Sequence, residues 1–210
     1  MKHFIIYLLG ILTAAAAALI SGAIGAAKGT NPVTAVSAGA EHAAVLKQNG
    51  EVWVMGRTVE NEAGSALPAN VPVKVMDDAA FVDCGKELTA VITRGGTLWA
   101  WGRGTGGNEA EPKKLMDRAK TVSCGTGVVA AVNEDGELLI FTVGENGFEA
   151  PEKMLEDAVS VSCGENHICA IRSDGTLWSF GRNDHGQLGD GTYSDSTVPV
   201  EACGLINGKR

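Results

Sequence analysis

Positive charge is scarce in this chain. Seventeen Lys and Arg stand against 25 Asp and Glu, a net charge of −8 at pH 7, and without Lys2 the balance is 16 against 25, or −9. A surface built to neutralise phosphates is basic, so no nucleic-acid partner is expected, and anionic lipid headgroups are disfavoured for the same reason. The five cysteines include no Cys-x-x-Cys pair; Cys163 and Cys169 are separated by five residues, which is not the spacing of a zinc site. No Gly-Lys-Ser/Thr follows a glycine-rich stretch, so a phosphate cradle is missing. Asp184, Asp190 and Asp195 lack the spacing of a calcium-binding EF-hand loop. No Ser/His/Asp set and no paired carboxylates emerge. Coiled-coil heptads, long runs of one charge and a Leu-x-Gly-Cys lipid-attachment pattern are also missing. No catalytic residue, cofactor or metal is expected.

One long apolar run opens the chain. Lys2 and His3 precede 24 uncharged residues, Phe4 to Ala27. A short basic start and an apolar centre mark a secretory signal, and Ser21-Gly22-Ala23 and Gly25-Ala26-Ala27 offer small residues for cleavage. About 20 apolar residues span a bilayer, so an uncleaved anchor is the alternative, with the membrane reached only through residues 4–27. The Ala- and Gly-rich second half is mildly apolar and favours cleavage. Residues 1–29 read as signal peptide or signal anchor. Residues 30–210 read as one exported domain, secreted or anchored at the extracytoplasmic face of the membrane.

The exported part is repetitive. Segments 38–57, 84–103, 124–143 and 163–182 align without gaps, with Gly39, Gly85, Gly125 and Gly164 coinciding, and eleven residues later Gly50, Gly96, Gly136 and Gly175. Pro72, Pro112 and Pro151 each precede the next unit's Cys84, Cys124 or Cys163 by twelve residues. A period of about 40 signals repeats or propeller blades. Within a unit, 159–163 alternates apolar and polar as a half-buried strand does. The run 167–172 is a second strand, Ser173-Asp174-Gly175 a tight hairpin turn, and Leu177 to Phe180 a third strand. The proline opens a fourth, where its missing N–H costs little. Four short strands per unit make one blade of an all-β propeller.

Repeat alignment also ranks the candidate functional residues. His42 and His167 are equivalents, with Leu88 and Val128 at the other two positions, so core or turn hydrogen bonding is their role, whereas His185 sits exposed in a glycine-rich loop. Cys84, Cys124 and Cys163 share the position of Ala38; a buried thiol fits there, and equivalents in neighbouring blades exceed the roughly 7 Å Cα separation a disulfide spans. Trp53, Trp99 and Trp178 share a site with Leu139, and Met55, Trp101, Phe141 and Phe180 share the site two residues on, hence the same strand face. That period implies packing between blades; a ligand-binding aromatic row requires rings that face solvent.

The units resemble the regulator of chromosome condensation repeat over about residues 33–203. Unit four carries the features most completely: Cys163, Gly164, His167, Asp174, Gly175, Trp178, Phe180, Gly181, Asn183, and the run Gly186, Gln187, Leu188, Gly189, Asp190, Gly191, Thr192. Unit one keeps Gly39, His42, Gly50, Trp53 and Gly56. Units two and three lack the histidine and the Gly-Gln-Leu-Gly loop, and Thr142 replaces the closing glycine of unit three. The resemblance implies a β-propeller, typically of seven blades, with units at about 33–76, 79–116, 118–155 and 157–206. It also implies a non-enzymatic module that binds another protein through the blade loops Thr58–Val71, Gly104–Glu111, Val143–Ala150 and Arg182–Val198. The alternatives are a membrane-tethered structural envelope repeat and a truncated gene product. Two further alternatives are a nucleotide-exchange factor, which export separates from cytosolic GTPases, and a secreted hydrolase with convergent acidic or His residues in one pocket.

Closure is the last expectation. Pro199 sets the next unit's start at position 211, so the sequence stops after the fourth strand of unit four, and Cys203 takes the core position of Met76, Met116 and Leu155. Wedges of a seven-fold ring turn about 51° each, and four cover little over half a circle. An open partial propeller with two apolar faces is expected, prone to self-association through its open blade edges or to pairing with another repeat protein.

Overall fold

A computed structural model describes residues 31–56, 70–105 and 111–204. The leader, residues 1–29, lies outside the described residues, as do parts of two loops, 57–69 and 106–110. Among the described residues no helix is long and apolar enough to cross a membrane.

The strands follow the alternation of the sequence. Blade one holds β1 (Val33–Ala38), β2 (His42–Lys47), β3 (Val52–Gly56) and β4 (Val73–Met76); blade two holds β5 (Ala79–Cys84), β6 (Leu88–Thr93), β7 (Leu98–Gly102) and β8 (Lys113–Met116). Blade three holds β9 (Ala119–Cys124), β10 (Val128–Asn133), β11 (Leu138–Gly144), the two-residue β12 (Gly147–Phe148) and β13 (Glu152–Leu155). Blade four holds β14 (Ala158–Cys163), β15 (His167–Arg172), β16 (Leu177–Gly181) and β17 (Ser196–Glu201). Each blade is an antiparallel meander in chain order, with β12 added beside β11 in blade three. The turns between second and third strands need positive φ, which Gly50 (93°), Gly96 (79°), Gly136 (81°) and Gly175 (86°) supply. β11 runs on past Thr142 to Gly144, where the other units close on glycine, and turns back into β12.

Blades stack through apolar faces, and the same positions recur at each junction. Ala44, Leu46, Val52 and Val54 of blade one meet Val82, Cys84, Val91 and Trp101 of blade two. Leu88, Ile92 and Leu98 then meet Val122, Val129 and Phe141, and Val132, Leu138 and Ile140 meet Val161, Ile168 and Phe180. First strands lie side by side, β1 against β5, β5 against β9 and β9 against β14.

The arc is open. Val36, at the position of Val82, Val122 and Val161, is 70% exposed where they are 5%, 3% and 8%. Ile171, at the position of Leu46, Ile92 and Val132, is 43% exposed where they are 7%, 5% and 0%. A hydrophobic side chain buried three times and exposed the fourth marks a missing neighbour. Among the described residues, none covers the front of blade one or the back of blade four.

One sequence reading fails. Cys203 does not occupy the core position of Met76, Met116 and Leu155; it is exposed, with its backbone N–H on Gly189 O. In blades one to three a register shift in the outer pair sets Met76 opposite Val52, Met116 opposite Leu98 and Leu155 opposite Leu138. In blade four Ala202 donates to Leu177 O, so the residue after it passes the end of the sheet. Pro199 stands inside β17 rather than ahead of it.

Candidate functional site

Antiparallel order puts the loops that follow first strands and the loops that follow third strands at one end of the arc. The tight hairpins and the inter-blade connections occupy the other end. That other end is laced with ion pairs, among them Arg118 with Glu134 and Asp135, Lys153 with Glu137 and Glu156, and Lys74 with Glu51 and Asp77. Glu51 also accepts from Trp53 Nε1 at 3.1 Å, and these donors hold its carboxyl down at about 2. Such surface pairs add little each.

The loop end is built differently. Blade four's loop, 182–195, is organised by Asn183, which is fully buried. Its side-chain NH₂ donates to Asp190 Oδ1, Thr192 O and Ser194 O at 3.0–3.2 Å, its Oδ1 accepts from Leu188 N at 2.9 Å, and its own N–H reaches Asp195 Oδ1 at 2.7 Å. Leu188 is buried beneath the loop, and Gly186 and Gly189 take positive φ (75° and 69°) to complete the turns. This frame presents Tyr193, 76% exposed, and an exposed His185. Across the arc's centre, Lys86 of blade two stands 3.6 Å from Glu165 of blade four.

Asp184, Asp190 and Asp195 do not converge: Asp190 caps Thr192, Asp195 faces Asn183 N–H, and Asp184 pairs with Arg182. Among the described residues no three His, Cys, Asp or Glu side chains are grouped to hold a cation. A recess of about 200 Å³ borders His167, Gly164, Phe180 and Gly181, smaller than the ~300–1,000 Å³ of a small-molecule site.

The repeat residues have structural neighbours. A Cβ on Gly39 or Gly164 would strike the ring of His42 or His167, so each histidine lies over its unit's first glycine. His42 Nε2 is 3.0 Å from Thr89 Oγ1 of blade two, and burial lowers its pKa. Gly85 and Gly125 abut the backbone of the following blade, and Gly181 that of Asn166. The ring row Trp101, Phe141 and Phe180 is buried between blades. Trp53 and Trp178 are half-buried, each indole N–H turned to its own hairpin, at Glu51 and Thr176.

The cysteines line the junctions as thiols. Cys84 and Cys124 are buried and Cys163 half-buried, none in a disulfide. Burial pushes the Cys84 thiol up to about 11 and the Cys163 thiol to about 12, and raises Cys124. A raised folded-state pKa keeps the proton that the unfolded chain has lost. Stability is therefore full below pH 9 and falls as pH rises through 9 to 11, at about 1.4 kcal/mol per pH unit and thiol. Urea titrations at pH 8 and 10 should show the loss, and Cys84→Ala, the residue of unit one, should reduce it.

Two profiles of the regulator of chromosome condensation (RCC1) repeat match the chain, one at residues 33–62 and 158–187 and the other at 174–209. These are units one and four, the two that keep the histidine. No curated protein matches the sequence. Among solved structures, yeast RCC1 (Prp20) bound to Kap60 is similar with a TM-score of 0.69 at 18% identity, over 84% of this chain and 50% of that one. Human WBSCR16 gives 0.69 at 21%, over 83% and 54%. Prp20p of Saccharomyces cerevisiae, described with its binding to Gsp1p and histones, gives 0.70 at 17%, over 83% and 51%. The chain thus spans about half the length of the propellers it resembles.

Proposed function

We propose that this chain, a β-propeller of regulator of chromosome condensation repeats, is an exported, non-enzymatic module that binds another protein through the loop end of its arc. The observation that carries the reading is the loop of blade four. Asn183 spends its side-chain hydrogen bonds inside the loop and fixes it, so little ordering entropy remains to be lost on binding. The exposed Tyr193 then has the character of interface anchors, a large amphipathic ring on a rigid support. Function on loops carried by a rigid scaffold is common. The similar Prp20p binds proteins; for this chain we retain only that class of partner, and its acidic balance favours a basic protein surface over nucleic acid.

The test places a photo-crosslinking amino acid at Tyr193 and, as control, at Lys120. Adducts from Tyr193 that vanish on Asn183→Ala support the loop end as the contact surface. Equal adducts from both sites, or none from Tyr193, refute it. Export rests on residues 4–27 and is tested separately by the N-terminal residue of the mature protein.

A further inference from the structure

We infer that copies of this chain join head to tail, the front of blade one in one copy seating on the back of blade four in the next. Each internal junction repeats three contacts. A valine of the following blade's first strand (Val82, Val122, Val161) is buried. The N–H of its Cys84, Cys124 or Cys163 is received by the side chain of Ser37, Asp83 or Ser123 in the preceding blade. The N–H of Ala79, Ala119 or Ala158 is received by the carbonyl of the preceding hairpin glycine, Gly50, Gly96 or Gly136.

The two ends of the arc hold the two halves of that junction. The front of blade one offers exposed Val36, Val33 and Ala38, with Val45 and Met55 half-buried beside them. The back of blade four offers Ile171, Leu177 and Cys169, with Ser162 exposed at the position of Ser37, Asp83 and Ser123. Gly175 has nothing within 4 Å of a Cβ, whereas a Cβ on Gly50, Gly96 or Gly136 would meet the following blade. Apolar shape and hydrogen-bonding positions match those already joined three times within the chain, so the occupant that fits is another first blade of the same kind. Each copy carries one. The contact is heterologous: two copies close a ring if each of eight blades turns about 45°, and otherwise copies add on as an open series.

Sedimentation velocity on the full chain, as its cell delivers it, tests this. Wild type should exceed monomer mass at micromolar concentration and rise with concentration. Val36→Glu and Ile171→Glu, both at exposed positions, should each be monomeric, and their equimolar mixture should return a two-chain species and nothing larger, because only one sound junction remains. Val36→Ser and Ile171→Ser serve if a glutamate variant loses its far-ultraviolet β spectrum. A wild type that stays monomeric overturns the inference. So does an Ile171→Glu variant that still associates, which would mean front-to-front pairing.

Discussion

Gly85→Ala is expected to lower the midpoint of thermal unfolding by about 6–12 °C, corresponding to about 3 kcal/mol in a domain of this size. The first glycine of units one to three sits against the next blade's backbone. A Cβ on Gly85 would strike Gly125 O and press on Cys124. Neither obstacle can swing aside, since Gly125 O is backbone and the Cys124 Cβ is fixed to it; both lie at the end of the neighbouring first strand, so relief requires the blades to part. The same change at Gly125 is expected to cost less, because there the nearest carbonyl, Gly164 O, is 3.1 Å from the Cβ and the closer obstacle is the Val128 side chain. Stability in a repeat array is a sum over nearest-neighbour junctions. Weakening the junction of blades two and three should therefore also broaden the urea transition, with a smaller m-value as the halves unfold separately. Equal losses at Gly85 and Gly125 would count against this account of the junction.

Asp83→Ala should cost about 1–3 kcal/mol and Asp83→Ser should restore most of it. Asp83 joins three blades. One carboxylate oxygen accepts from Ser37 Oγ of blade one at 3.0 Å, and the other accepts from Cys124 N of blade three at 2.8 Å. Ser37 Oγ in turn accepts from Cys84 N at 2.9 Å. Alanine leaves the Cys124 N–H in a junction without an acceptor, and an unmade buried bond costs more than a made one contributes. Serine is the natural answer at this position, since Ser123 accepts from Cys163 N at 3.0 Å. Urea unfolding of both variants decides it; a serine variant no better than alanine would show that the carboxylate acts through its charge.

Much of this architecture was legible because repetition averages out local noise. The strand His42–Lys47 is weakly patterned alone, but its alignment with 88–93, 128–133 and 167–172 marks it as a buried second strand. The glycines spaced eleven apart translate directly into contacts and turns. Cys203 was misplaced for a definite reason: the place of the register shift in the outer strand pair leaves no trace in residue type, and it falls at the first pair in blades one to three but between Ser179 and Gly181 in blade four. In the loop of blade four the motif was visible, but not that Asn183 is its hub, since twelve residues of chain separate the atoms it joins. Tyr193 carried no signal at all, because exposure of a single ring depends on the whole fold. The loop candidates at 58–71 and 104–111 fall largely outside the described residues.

The four blades form an open arc whose two end faces no described residue covers. Spin labels at Val36→Cys and Ile171→Cys, in a Cys203→Ser background and diluted with unlabelled chain so that only intramolecular pairs are read, test it most directly by pulsed dipolar spectroscopy. The open arc predicts separations well beyond the roughly 10 Å between packed sheets. A dominant short distance, with blade one seated on blade four of its own chain, would contradict it.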